Sequence, residues 1–231
     1  MATVTEILDR VSRKTGTMAT GNERADALAA LNSVYKRAVL QTECYANVAS
    51  YAFTTSSDSY AVSAVSTDIM LIQDISHNSD AYYKKLLQKP ISWITSRRSG
   101  SSSTGFPRCY AMIGTNKIAF YPNPNIGDTI SVTYVQTPPT LVESGPSAGE
   151  ESTPTAIPAV FHDDVLMAGT IVHMLDEDQR IDDAGAWSQR YQAGLYALSE
   201  WANTFGGTDQ AIQDHVHTTE YNVANDFRSR Y

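Results

Sequence analysis

The first 45 residues place apolar side chains at the spacing of an α-helix. Thr3 and Glu6 fit a capping box, in which each side chain binds a free amide of the first turn, and Gly16 ends this helix. Asn22 is predicted to cap a second helix. Its apolar stripe consists of Ala25, Leu28, Leu31, Tyr35, Ala38 and Val39. Residues 1–45 are therefore predicted to form a helical pair.

From Ala46 the apolar period changes from about 3.6 residues to about 2, the spacing of a half-buried strand. The segments "NVASYAFTT" and "DSYAVS" are predicted to form a hairpin, followed by a strand at "IMLIQDI". Three more strands are predicted at "CYAMIG", "KIAFYPNP" and "DTISVTYVQTPP". The stretch "YYKKLLQKPISWITSRR" is ambiguous, because 84–88 could be a helical turn that Pro90 interrupts. Residues 46–137 thus predict an inserted antiparallel β domain, with 99–105 as an exposed loop.

After residue 137, the composition and the apolar period of the chain change again. Residues 138–157 have the Pro, Gly, Ser and acidic composition of a linker or long loop. Residues 158–206 are predicted to form a helical hairpin that a Gly-Gly pair ends, and residues 207–231 lack a sustained period. The predicted fold class is therefore α+β: a bundle of two N-terminal and two C-terminal helices, an inserted antiparallel β domain, and an extended C-terminal tail.

Composition and charge narrow the functional classes. Of the 231 residues, 42% are apolar and 18% are charged, and the formal net charge is −8. This acidic balance argues against binding nucleic acid by neutralising phosphates, which needs clustered Lys and Arg. Cys44 and Cys109 lie apart, no leader-like apolar run opens the sequence, and no apolar run approaches the roughly 18 residues of a membrane span. We expect a soluble, cytoplasmically made protein without membrane, metal or cofactor.

The string "IPAVFHDDVLMAGTIVHMLDED" raises the possibility of a metal-dependent hydrolase using His162 and Asp163. His162 and His173 are eleven residues apart, which is about 16 Å along a helix, whereas zinc needs its nitrogens about 2 Å from one ion. We therefore predict that His162, Asp163 and Asp164 form a solvated face at the start of a helix, where acids favour the positive end of the dipole. The sequence contains no nucleophile elbow, phosphate loop or dinucleotide fingerprint, so no catalytic residue is predicted.

Two groups of residues are candidates for contacts with partners. In the tail, Tyr221, Phe227 and Tyr231 lie near Arg228 and Arg230, and aromatic and Arg side chains dominate interface energetics. The tail is either a docking arm that orders on a partner or a disordered terminus. In the third helix, four apolar residues lie off the main stripe and would contact either a neighbouring subunit or the internal core. They are Leu166, Met167, Ile171 and Met174.

Three segments carry a resemblance to a known family of proteins. They are "TEILDRVSRKTG…NERADALAALNSVYKRAV", the helix start in 157–178, and "AGAWSQRYQAGLYALSEWANTFGG". Together these segments resemble the head-to-tail connector, or adaptor, proteins of tailed bacteriophages. The second of these carries the resemblance through Ile157, Pro158, Phe161, His162, Leu166, Ala168, Gly169 and Leu175.

The resemblance implies a virion protein at the head–tail interface, assembled in the host cytoplasm and without enzymatic activity. It implies a ring, commonly of twelve copies, that binds the portal protein and the next tail or nozzle protein and lets DNA pass through its lumen. Two alternatives remain open from the residues alone. One is the hydrolase built on His162 and Asp163, and the other is a glycan-binding, tail-associated module that uses the tyrosines of the β domain.

Overall fold

The computed structural model describes residues 2–16, 21–79, 82–99 and 103–226, with the backbone alone at 78, 79, 82–84 and 205–226. The chain divides into two compact units. The helical unit comprises 1–44 and 140–231, and the β unit comprises 45–139.

The first helix begins and ends where its sequence signals predict, whereas the prediction that Asn22 caps the second helix is wrong, because the N-cap residue is Gly21. Helix α1 spans Val4–Thr15, and helix α2 spans Asn22–Thr42. The capping box is present, because the Glu6 amide donates to Thr3 Oγ1 at 3.2 Å and the Thr3 amide donates to Glu6 Oε2 at 3.1 Å. Gly16 ends α1 with a left-handed φ of 75°, which a residue without a Cβ adopts at little cost.

The third predicted helix is less regular than its apolar stripe indicates. A 3₁₀ turn at Ala159–Phe161 leads into a π-helix at His162–Met167, and α4 follows at Ala168–Glu177. In this unit α4 contacts α1, α2 and the final helix α5. The widened π turn changes which side chains face those neighbours. It contains His162, Asp163 and Asp164, hereafter called the histidine–acid string.

Helix α5 runs without interruption over Ile181–Asp226. The prediction that Gly206 and Gly207 end the helix is wrong, and so is the prediction of an extended tail as far as Asp226. Residues 227–231 lie outside the described residues. A glycine in a helix costs about 1 kcal/mol relative to alanine, and a helix already nucleated on both sides continues through that small penalty.

The β unit contains two sheets. The first has the strand order β1-β8-β3-β4 and is antiparallel throughout, and the second has the order β2-β7-β6-β5, in which β5 is parallel to β6. The strands are β1 (Ala46–Ala52), β2 (Tyr60–Ala61), β3 (Ile69–Ser79), β4 (Tyr82–Lys85), β5 (Leu87–Gln88), β6 (Cys109–Ile113), β7 (Lys117–Tyr121) and β8 (Thr129–Gln136). Helix α3, Ile91–Arg98, packs on β6 and β7.

The two sheets bury one shared core of aliphatic and aromatic side chains. Its members are Phe53, Tyr60, Val62, Ile75, Leu86, Tyr110, Ile118, Phe120, Ile130, Val132 and Tyr134. The predicted hairpin between "NVASYAFTT" and "DSYAVS" is wrong, because β1 pairs with β8 and β2 pairs with β7 in the other sheet. Alternation marks β1 and β2 as strands but does not select their partners. The chain crosses between sheets so that Phe53 and Tyr60, with ring centroids 4.7 Å apart, fill the common core.

Candidate interaction surfaces

The histidine–acid string lies on the π-helix, and His162 is buried there. Its side chain is 1% exposed, and its Nε2 lies 2.9 Å from the carbonyl oxygen of Ile157. Burial lowers the pKa of His162, because the charged imidazolium would lose its hydration. The prediction of a solvated face is therefore wrong for this residue. The π turn rotates the ring into the helical unit.

The two carboxylates beside His162 point to different helices. Arg10 of α1 binds Asp163, with 2.7 Å between Nη1 and Oδ1, and Arg190 of α5 binds Asp164, with 2.6 Å between Nε and Oδ1. Each acid therefore links the π-helix to a neighbouring helix. Within the described ranges, no three or more His, Cys, Asp or Glu side chains are grouped so as to hold a metal ion.

The four off-stripe apolar residues lie in the core of the helical unit. Leu166 and Ile171 are 0% exposed, Met167 is 5% exposed and Met174 is 9% exposed. Of the two interpretations that the sequence leaves open, internal packing accounts for this burial. The contact between subunits proposed below rests on other residues.

The predicted docking residues lie at the end of the chain. Tyr221 is part of α5, where only the backbone is described, and Phe227, Arg228, Arg230 and Tyr231 lie outside the described residues. Docking by these side chains stays a prediction.

The segment after the β unit is bound to α2 by contacts that the sequence reasoning did not anticipate. Within residues 138–157, β9 (Thr140–Leu141) pairs in parallel with β10 (Glu150–Glu151). The side chain of Asn32 in α2 binds both backbone polar groups of Leu141. Its Nδ2 donates to the Leu141 carbonyl oxygen at 3.0 Å, and its Oδ1 accepts from the Leu141 amide at 2.7 Å. Leu141 itself is fully buried.

A second pair of contacts binds the other strand and the turn of this segment. The buried Tyr35 hydroxyl donates to Glu151 Oε1 at 2.6 Å and accepts from the Ala156 amide at 2.8 Å. Burial, reinforced by the Glu151 carboxylate, raises the pKa of Tyr35. Arg24 binds both Glu143 and Asp9. The sequence did carry a signal for these contacts. Tyr35 lies on the apolar stripe of α2 but ends in a polar hydroxyl, and a buried polar atom requires a hydrogen-bond partner.

The fold and these contacts define an α+β protein of two units, in which the polar groups that suggested chemistry join helices to one another. Among the described residues, no helix has the length and apolar character that crossing a membrane requires. The chain belongs to the SU10 adaptor protein family, whose model matches residues 2–212. This match confirms the resemblance to phage head–tail adaptors. Among curated proteins, none matches the chain significantly.

Proposed function

We propose that this protein is a structural virion subunit that forms a homo-oligomeric ring, a dodecamer by resemblance to its family, between the portal vertex and the tail. The ring seals the capsid and provides a channel through which DNA passes during genome ejection. The observation that carries this proposal is the family match over residues 2–212, which covers parts of both units. The function is assembly, and the subunit acts without catalysis.

The geometry of the histidine–acid string supports a structural role. A hydrolase would need His162 open to solvent and its neighbouring carboxylates directed at a common point. Instead His162 is buried, and Asp163 and Asp164 bind arginines on different helices. These interactions position α1 and α5 against the π-helix.

The burial of three tyrosines of the β unit argues against the glycan-binding alternative. A glycan site built on tyrosines requires exposed rings. Tyr60 is 7% exposed, Tyr110 is 5% exposed and Tyr134 is 2% exposed, and all three contribute to the core shared by the two sheets. These rings stabilise the β unit and are closed to a ligand.

The C-terminal segment is the proposed portal-docking element. The family match covers residues 2–212, so residues 213–231 lie outside the matched range. The backbone is helical to Asp226, and the 22 residues 205–226 correspond to about 33 Å of helix. We assign the portal contact to Tyr221, Phe227, Arg228, Arg230 and Tyr231, since aromatic and Arg side chains contribute most to interface energies.

The experiment mixes the purified protein with the portal protein of the same phage and examines the product by native mass spectrometry and negative-stain imaging. A ring of this protein on the portal is expected. Absence of any complex between the two proteins would refute the proposal. A monomer in the absence of portal would not, since the portal is expected to template the ring.

Truncation tests the docking segment. Removal of residues 208–231 should leave the thermal unfolding of the rest of the chain unchanged and abolish portal attachment. A full-length variant with the five docking residues changed to alanine should also fail to attach, which separates side-chain contacts from helix length. A matched control, Gln210→Ala with Gln213→Ala in the same helix, should attach normally. Unchanged attachment of the truncated protein would disprove docking by this segment.

A further inference from the structure

The charge of this protein is divided unequally between its two units. Residues 45–139 contain seven of the 17 basic residues and five of the 25 acidic residues, a balance of +2, whereas the rest of the chain has a balance of −10. Within the β unit, residues 84–108 hold six basic residues and no acidic residue. The overall acidity of the chain therefore conceals a basic segment.

Part of this segment forms a cluster around Trp93 at the start of α3. The Lys89 Nζ atom lies 6.0 Å from the centroid of the Trp93 ring, and the Arg97 guanidinium carbon lies 5.2 Å from it. Trp93 and Arg97 are four residues apart and share one side of α3, and Lys89 lies just before the helix. Tyr121 of β7 holds the Trp93 ring edge-on, with centroids 5.7 Å apart. The aromatic ring therefore keeps two cations close together.

Arg108 extends the cluster along the neighbouring strand. Its carbonyl oxygen accepts a hydrogen bond of 3.0 Å from the Leu87 amide, two residues before Lys89. Lys89 and Arg108 are both close enough to act electrostatically on the thiol of Cys109; burial raises the pKa of that thiol and the two cations oppose the rise. Lys89, Arg97 and Arg108 are hereafter called the cationic cluster.

The cationic cluster has no acidic partner among the residues whose side chains the structure describes. Arg97 and Arg108 are exposed, Lys89 is half-buried, and none of the three forms an ion pair there. The adjacent Arg98 differs, since it binds Asp58 at 3.6 Å and donates to the Phe120 carbonyl oxygen at 2.7 Å. Like charges held near one another without counter-charges favour an anionic partner.

The helical unit carries a complementary surface at the turn between α4 and α5. Residues 176–183 contain five acids and one Arg. All eight residues are exposed, and all except Gln179 and Ile181 are charged. Arg180 binds Asp183 and also donates to the Thr15 carbonyl oxygen at 2.7 Å, which attaches the turn to α1. This turn is hereafter called the acidic corner.

Three carboxylates of the acidic corner remain open to a partner. Asp176, Asp178 and Asp182 are exposed and have no ion pair in the described part of the chain, in contrast to Asp183 with Arg180. Three unpaired cations and three unpaired carboxylates therefore lie on different units of the same chain.

We propose that the cationic cluster of one copy docks on the acidic corner of the next copy. This inference rests on the proposed ring and specifies one of its contacts. Because the two surfaces are different patches, the contact is heterologous, and repetition of such a contact around a rotation axis closes a ring. A second copy is favoured over DNA as the partner, because Trp93 is half-buried and already contacts Lys89, Arg97 and Tyr121. It therefore lacks the open ring face on which bases stack.

Charge reversal in matched variants tests the contact. The first variant carries Lys89→Glu, Arg97→Glu and Arg108→Glu, and the second carries Asp176→Lys, Asp178→Lys and Asp182→Lys. Each variant alone should form rings on the portal at least about tenfold less efficiently than the unmodified protein, because like charges then meet at every contact. Lys117→Glu, an exposed change elsewhere in the β unit, is the control and should assemble normally.

Recombination of the two variants provides the decisive measurement. In an equimolar mixture, contacts between two reversed surfaces alternate with contacts between two unmodified surfaces, and every contact joins opposite charges. Rings of alternating copies should therefore form, although each variant alone assembles poorly. A chain carrying all six changes should also assemble by itself. Native mass spectrometry distinguishes the alternating rings by mass. Unmodified rings should weaken as salt rises from 0.1 to 1 M, since the screening length falls from about 10 Å to about 3 Å.

The outcomes separate this contact from the proposed function. Failure of the unmodified protein to form any ring refutes the proposed function itself. Normal assembly of both single variants, with rings present, overturns the contact alone. Normal assembly of the first variant together with lost retention of labelled duplex DNA identifies nucleic acid as the partner and also overturns it. If a glutamate variant unfolds, Lys89→Gln with Arg97→Gln and Arg108→Gln replaces it, and unchanged assembly of that variant overturns the contact.

Discussion

Gly194 lies where α5 crosses the π-helix, and substitution by alanine tests how tightly these elements pack. A Cβ atom at this position would lie 2.8 Å from the carbonyl oxygen and 2.9 Å from the carbonyl carbon of Asp164. Both obstacles are backbone atoms, so no side-chain rotation relieves the contact. The helices must separate by about half an ångström to restore ordinary van der Waals distances.

The expected magnitude combines two opposing effects. Overpacking of this kind costs about 1–3 kcal/mol, whereas alanine in place of a helical glycine contributes about 0.5–1 kcal/mol of stability. We therefore expect Gly194→Ala to lower the free energy of unfolding by about 1 kcal/mol, within a range of about 0–2.5 kcal/mol. The matched control is Gly185→Ala in the same helix, where no atom lies within 4 Å of the added Cβ. It should raise stability by about 0.5–1 kcal/mol.

Urea unfolding followed by far-ultraviolet circular dichroism measures both variants against the unmodified protein. The midpoint for Gly194→Ala should fall while that for Gly185→Ala rises. If the Gly194→Ala protein is as stable as the Gly185→Ala protein, then α5 does not approach the π-helix this closely and the argument from packing is wrong.

Three further predictions concern polar groups of the helical unit. Tyr35→Phe removes both hydrogen bonds of the buried hydroxyl and should lower the free energy of unfolding by about 1–3 kcal/mol; an unchanged urea midpoint would contradict this. Asn32→Ala leaves the backbone of Leu141 unpaired and should cost about 1–3 kcal/mol, whereas Asn47→Ala, on an exposed strand, should change stability by less than about 0.5 kcal/mol. The pKa of His162 in the folded state lies below its unfolded value of about 6.5. Its neutral form therefore contributes stability that is complete above about pH 6.5 and is lost as the pH falls towards the folded pKa. The loss amounts to at most about 1.4 kcal/mol per pH unit. His162→Gln should flatten the profile of stability against pH below about 6.5, and parallel profiles would show that the imidazole does not titrate on unfolding.

Local signals in the sequence predicted much of the secondary structure and the family. The capping box and Gly16 locate both ends of α1, and alternation locates the strands from β6 to β8. These features depend on hydrogen bonds and side-chain periods within a few residues, so the sequence alone carries them. The motifs of the opening helices and of 157–178 also sufficed to recognise an adaptor, and the family match confirms that recognition.

The contacts of the candidate surfaces could not be predicted from the sequence in the same way, because each surface joins residues that are far apart in the chain. The partners of Asn32 and Tyr35 lie more than 100 residues later in the chain. The unpaired state of the cationic cluster was hidden by the acidity of the whole chain, although the absence of acids in 84–108 could have revealed it.

By itself, the sequence determined the capped start of α1, the strands β6 to β8 and the membership of the family, since these follow from local periodicity and short motifs. The tertiary structure alone decided that β1 pairs with β8, that His162 turns inward on a π-helix, and that α5 continues past its paired glycines. The physical reason is that strand partners and buried faces are selected by the free energy of filling a common core. That energy depends on residues brought together only when the whole chain has folded.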